Sequence, residues 1–506
     1  MMKVRCCFIA AILMFFSGNS VWAQLNLDTV INRFENAFKL KDASLLKDEL
    51  SDRFAVGIYT KPTSVKMLQT VFEHYQSIDS FTVLKVDSTV KEKKKIQLHI
   101  YCKNKKEAIT AAYLDKDNRL LYIDLCDQLY GINKYNKSKL RAVIPFKFVN
   151  SAIVVELKLN NSDKVLNFLF DTGADGMAIN QSLADSLGLI VSRKQQTSVV
   201  GAQMEVQISS GNIVHLDTLH VPDQNIAIFS KMSSTYDGII GINLARRYIT
   251  KVNFDNLTIS LYDFGDYKYE RQGETLDLSV PAGIPILNGT VDVADGKKID
   301  GTFVFDTGAG YYFIAFGPFV KKNLLLTSGF NVDFSGVTLS MGHSSPSFTG
   351  NINAFCLGNQ CLKNFPGTLQ AYRPGDENWM QDGSGSIGIK LLSRFNFTLN
   401  LPEHTVHLTP NKSYKYPFDF VLGNLMLGFD PDRQLRVKQI LSMEGEEGGK
   451  FEKGDVITAI NDVQANALFK QSEEIDKLKA LPENAILSVE YMRDGMSMKE
   501  NLSRKM

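Results

Sequence analysis

A chain of 506 residues is long enough for about three domains of ordinary size. With 44% hydrophobic and 22% charged residues it is ordinary globular material, and a net charge of +1 gives no footprint for nucleic acid or an acidic membrane surface as partner. The basic runs KEKKK (91–95) and KNKK (103–106) flank an expected β hairpin and read as solvated turns.

The N-terminus carries the first specific signal. MMKVR makes a positive start, CCFIAAILMFF is an apolar run of h-region length, and Val21-Trp22-Ala23 ahead of Gln24 places small residues near a cleavage point. Residues 1–23 are therefore expected to be a signal peptide removed on export, because the run falls short of the ~20 apolar residues of a spanning helix. A periplasmic or secreted location follows, and an oxidising compartment permits disulfides. Four cysteines lie beyond the signal: Cys102, Cys126, Cys356 and Cys361. They form no CxxC pair and the histidines form no HExxH, so neither a metal nor another cofactor is expected.

Residues 25–135 read as an α+β unit. Asp28 can cap a helix bearing Val30, Phe34, Ala37 and Phe38 at helical spacing; further helices are expected near 42–50 and 63–77. Strands follow near 80–89, 95–103, 107–114 and 119–126. Helices followed by a curved antiparallel meander resemble, in topology alone, the cone-shaped nuclear-transport-factor-like fold. Cys102 and Cys126 would then sit on strands separated by a third, too far apart to bridge.

Residues 140–412 contain an internal repeat. LNFLFDTGAD ends at Asp175 and GTFVFDTGAG at Gly310, so the two aspartates, Asp171 and Asp306, are 306 − 171 = 135 residues apart. Downstream, 238–263 aligns with 385–410 without a gap: Gly241, Leu244, Arg247, Asn253 and Leu261 match Gly388, Leu391, Arg394, Asn400 and Leu408. That offset is 388 − 241 = 147, so the second copy has about 12 extra residues between its motifs. Two copies of one β-rich unit imply pseudo-twofold lobes over 140–270 and 275–412. The matched arginines suggest a contact that stabilises each lobe. His343, His404 and His407 lie in or beside strands with no partner motif and read as packing or surface residues. Cys356 and Cys361 face each other across a Gly-Asn hairpin turn and are expected to bridge.

Asp-Thr-Gly after an apolar strand is a specific arrangement. The strand (Phe168, Leu169, Phe170; Phe303, Val304, Phe305) delivers the aspartate at its end. Gly173 and Gly308 let the chain turn where a side chain would clash. Thr172 and Thr307 can hydrogen-bond across to the other lobe. An apolar pair followed by glycine, Ile239-Ile240-Gly241 and more weakly Ser386-Ile387-Gly388, can pass beneath each turn. This pattern resembles the retropepsin-like and pepsin-like aspartic peptidases over about 270 residues. It implies a catalytic pair, Asp171 and Asp306, sharing one proton and activating a water against a peptide bond. Because one chain supplies both lobes, a monomeric peptidase acting on protein or peptide substrates is expected. The competing reading is a catalytically inactive peptide-binding scaffold of the cell envelope.

Both motifs continue with alanine (Ala174, Ala309) where the pepsin-like enzymes often carry serine. Without that hydroxyl donor the pair is expected to titrate higher, giving activity at weakly acidic to neutral pH. TSVVGAQMEVQ (197–207) and GFNVDFSGVTLSMG (329–342) are candidate flaps that cover the cleft.

Residues 418–506 form a third unit. The segment KGDVITAIND (453–462), behind the strand RVKQIL and LMLGFD (425–430), resembles a PDZ domain of the bacterial protease-associated type. That resemblance implies a loop at Leu425, Met426, Leu427, Gly428 and Phe429 that receives a peptide terminus, the peptide adding a strand to the sheet edge. The fold class expected overall is mainly β: a two-lobed aspartic-peptidase β fold with an N-terminal α+β domain and a C-terminal PDZ-like domain.

Overall fold

In the computed structural model the described residues are 29–74, 78–90, 93–103, 107–199, 202–230, 232, 235–294, 296–340, 343–372, 383–441 and 450–504. The expected signal peptide lies outside them. No helix among the described residues is long and apolar enough to cross a membrane. The chain is mainly β.

In the N-terminal unit a helix over 29–40 buries Val30, Phe34, Ala37 and Phe38, the stripe its spacing implies. It packs on helix Thr63–His74, with the rings of Phe38 and Phe72 4.5 Å apart. Behind them strands Ile78–Val90, Lys93–Cys102, Glu107–Leu114 and Leu120–Ile123 form an antiparallel meander in sequence order. Ile96, Leu98 and Ile100 alternate into the core. The fourth strand ends three residues earlier than expected. The Leu125 amide donates to Thr110 Oγ1 (3.0 Å) and the chain turns into helix Asp124–Leu129. Cys126 is thus on a buried helix rather than a strand; it and Cys102 are free.

This unit is not a loose appendage. Ile58 and Ile132 belong to the same apolar core as the repeat. Thr60 N donates to Val280 O (3.1 Å), and Val280 N donates to Thr60 Oγ1 (2.9 Å). Half-buried His404 hydrogen-bonds the Ile58 backbone, and desolvation pushes its imidazole down to about 3, so it is neutral near neutral pH.

The two halves of the repeat have matching strands. Strand Leu166–Phe170 pairs antiparallel with Ala152–Leu159 and parallel with Gly238–Ile240. Strand Lys298–Phe305 pairs in the same way with Ile286–Asp292 and Gly385–Ile387. Helices Gln181–Ser186 and Gly317–Lys322 follow at equivalent points. The halves meet in one sheet: Ile249–Asn253 of the first pairs antiparallel with Phe395–Asn400 of the second, Thr250 opposite Leu399. The extra residues of the second half fall after its helix, where Leu325–Thr327 makes a 3-10 turn, and in 371–384.

Both candidate flaps are long hairpins, Val191–Val199 with Ala202–Leu216 and Val332–Ser340 with His343–Leu357; their tips lie outside the described residues. The Cys356–Cys361 disulfide is formed, its residues directly opposed across the Gly358-Asn359 turn. The matched arginines diverge. Arg247 is exposed, whereas buried Arg394 donates to Ser413 O and Pro417 O (both 3.0 Å) and lies over the Phe418 ring at 4.0 Å.

The C-terminal unit is a sheet in the order Phe420–Leu422, Leu425–Phe429, Leu435–Ile440, Val456–Ile460, Ile486–Arg493, Met496–Ser503, with helices Ala465–Lys470 and Ser472–Lys479 against it. The expected peptide loop is a strand here. Leu425–Phe429 pairs on one side with Leu435–Ile440 and on the other with the chain's own Phe420–Leu422, which takes its edge at Leu425, Met426 and Leu427. Leu427 is fully buried, Gly428 abuts the Asp419 carboxylate and Phe429 packs on Phe469. Alternation of Leu425 and Leu427 toward the core makes the segment a strand.

Candidate active site

Each Asp-Thr-Gly loop is held from below by the strand of its own half that ends in Gly241 or Gly388. Asp171 N donates to Ile240 O (3.0 Å) and Asp306 N to Ile387 O (3.1 Å). Those glycines are required: a Cβ on Gly241 would stand 2.3 Å from Ala174 O, and one on Gly388 2.2 Å from Tyr311 O.

The threonines lock the two loops together. Thr172 N donates to Thr307 Oγ1 (3.0 Å) and Thr307 N donates to Thr172 Oγ1 (3.0 Å). Each hydroxyl then donates to a carbonyl of the opposite strand, Thr172 to Phe305 O and Thr307 to Phe170 O. Both threonines are fully buried. Every donor and acceptor of the crossing is paired, which a buried polar knot requires.

The crossing brings the aspartates face to face. A Cβ on Gly173 would lie 2.6 Å from Asp306 Cγ, and one on Gly308 2.1 Å from Asp171 Cγ. Each carboxyl therefore overhangs the glycine of the other half, and the two are in hydrogen-bond contact. Gly173 N donates to Asp171 Oδ1 (2.8 Å) and Gly308 N to Asp306 Oδ1 (2.9 Å). Both residues are half-buried, leaving them reachable from the cleft. Burial pushes both carboxyls above the usual range, and the Asp171 charge raises Asp306 further. Asp171 has the backbone N–H groups of Gly173, Ala174 and Gly308 to relieve it, and Asp306 has that of Gly308 and the Ser386 hydroxyl.

Sequence reasoning expected no hydroxyl at the pair. The alanines leave none on the DTG loops themselves, but Ser386 Oγ reaches Asp306 Oδ2 at 3.4 Å from the strand beneath. The Tyr311 hydroxyl in turn hydrogen-bonds Ser386. Both were legible as departures from the repeat: by the offsets above, Ser386 stands where the first half has Ile239, and Tyr311 where it has Gly176. Leu427, Gly428 and Phe429 lie in the C-terminal unit and take no part here. Among the described residues no cluster of His, Cys, Asp and Glu could hold a metal.

Residues 155–244 match the family model described as aspartyl protease. The matched span is most of the first half of the repeat, from within strand Ala152–Leu159 to Leu244, just beyond strand Gly238–Ile240. This match supports an aspartyl protease family and protease activity in general. No curated protein matches the chain.

Proposed function

We propose that the chain is an exported, single-chain aspartic endopeptidase whose two lobes each contribute one carboxylate, Asp171 and Asp306. The observation that carries this is the threonine-locked crossing, with each carboxyl overhanging the opposite glycine. A water between the carboxyls gives a proton to Asp171 as its oxygen bonds to the scissile carbonyl carbon. Asp306 passes its proton to the carbonyl oxygen. The tetrahedral diol collapses when Asp171 passes its proton to the amide nitrogen, the C–N bond breaks, and a diol hydroxyl returns a proton to Asp306. The substrates are proteins or peptides, held under the two hairpins. The test is hydrolysis of an unfolded protein by the wild type and by Asp→Asn variants.

One expectation concerns pH. Protonating both carboxyls or ionising both stops the reaction, so kcat/KM is bell-shaped. Both groups sit above the ordinary carboxylate value, so the acidic limb lies above it too. Activity should peak at weakly acidic to neutral pH. Ala174→Ser with Ala309→Ser should move the acidic limb down by adding donors to the charged forms. A wild-type maximum near about pH 2–3 would contradict the assignment.

The C-terminal unit is proposed to be PDZ-like and to retain protein substrates, raising their effective concentration. Its boundary with the second lobe is firmer than composition implies. Asp419 pairs with Lys390 (2.7 Å), its backbone N–H donates to Tyr312 Oη (3.1 Å), and Phe418 packs on Tyr312. Removing 420–506 keeps these contacts. It should raise KM for a protein substrate several-fold and leave short-peptide kcat within about twofold. Removing 418–506 should in addition lower short-peptide turnover, because Tyr312 follows the catalytic loop. Equal short-peptide kinetics for the two truncations would refute that coupling.

A further inference from the structure

Ser386 is a polar residue in a place built for an apolar one. It is 2% exposed and lies in a three-residue strand opposite Val304 on one side and Ile314 on the other. Its counterpart Ile239 lies opposite Leu169 in the same way. A buried hydroxyl is costly unless bonded. Its only proton goes to Asp306 Oδ2. The Tyr311 hydroxyl, kept protonated by burial and by the charge of the aspartates, is the second group that Ser386 meets. The first half has nothing to correspond, since Ile239 and Gly176 bear no donor. The two carboxylates therefore have unequal surroundings: Asp171 is served by backbone amides, Asp306 by the Gly308 amide and, from behind, by the Ser386 hydroxyl.

We propose that Ser386, backed by Tyr311, is a positioning residue that orients the Asp306 carboxyl and steadies the anion left when its proton passes to the substrate carbonyl. The inference rests on the peptidase reading and adds a division of labour to it. A hydroxyl that donates to Asp306 helps most when Asp306 has lost its proton, so its effect falls on turnover more than on substrate binding. By the same logic it favours ionisation of the pair, so losing it moves the acidic limb of the pH profile upward.

The test is the pH dependence of kcat and KM on a short peptide for the full chain, Ser386→Ala, Ser386→Thr and Tyr311→Phe, each checked by thermal melting. Ser386→Ala should lower kcat about tenfold, change KM less than about twofold and move the acidic limb up by about half a unit to one unit. Tyr311→Phe should act in the same direction and less strongly. Ser386→Thr keeps the hydroxyl and should retain most of the activity. A loss that is uniform across pH, or a threonine variant as impaired as the alanine one, overturns the inference and leaves the peptidase assignment standing. A wild type whose hydrolysis survives Asp171→Asn overturns both.

Discussion

Asp171→Asn and Asp306→Asn are each expected to abolish peptide hydrolysis, with kcat/KM falling on the order of 10⁴-fold or more. Neither should unfold the chain, since the amide is isosteric and Gly173 N or Gly308 N still has an oxygen to donate to. The effects should not add. In the proposed mechanism the two carboxyls share a proton, so losing either removes the whole device. The double variant should match the worse single variant within a few-fold. A double variant a further tenfold down, or a single variant with near-normal turnover, would show that the carboxyls act separately.

The second large effect concerns the threonine crossing. Thr172→Val keeps the shape but removes a buried acceptor from Thr307 N and a buried donor from Phe305 O. Each stranded group costs about 1–3 kcal/mol, so the variant should lose roughly 2–6 kcal/mol of stability. Thr172→Ser should lose much less. Adding Thr307→Val should cost less than a second full increment, because the four bonds form one network. Urea unfolding measures the stability and a peptide assay the turnover, which should fall because the crossing sets the distance between the carboxyls. A Thr172→Val protein that unfolds at the wild-type midpoint would mean that the lobes are held elsewhere, for instance by the shared strands Ile249–Asn253 and Phe395–Asn400.

Much of this arrangement was readable before any coordinates. The repeat was legible because both copies obey the same local constraints: an apolar strand ending in aspartate, a glycine under a carboxyl, and a second glycine under the loop. The disulfide was legible from a two-residue turn that puts Cys356 opposite Cys361. What escaped were features fixed by contacts distant in sequence. LMLGF reads as a binding loop, yet it is a strand because Phe420–Leu422, just upstream, folds back onto its edge. The role of Arg394 was half visible: repetition marked it, but the carbonyls it holds come from 413–417, beyond the matched part of the repeat. Ser386 and Tyr311 are harder to read because repetition marks what the halves share, and these two residues carry what differs.

The docking of the N-terminal unit was also invisible in sequence. No motif announces that Thr60 will exchange two hydrogen bonds with Val280, or that Ile58 will enter the core of the repeat. Residues 55–60 show no regular period, and the partners of Ile58 and Thr60 outside this unit, His404 and Val280, lie more than two hundred residues away.

The central claim is that Asp171 and Asp306 jointly stabilise a tetrahedral diol. The most direct measurement is the affinity of a substrate peptide in which the scissile amide is replaced by a hydroxyl-bearing tetrahedral carbon. The wild type should bind this mimic at least about a hundredfold more tightly than the parent peptide, and Asp306→Asn should lose that advantage. If the mimic binds no better than the parent, or equally well to the wild type and the variant, the two aspartates do not form a catalytic pair.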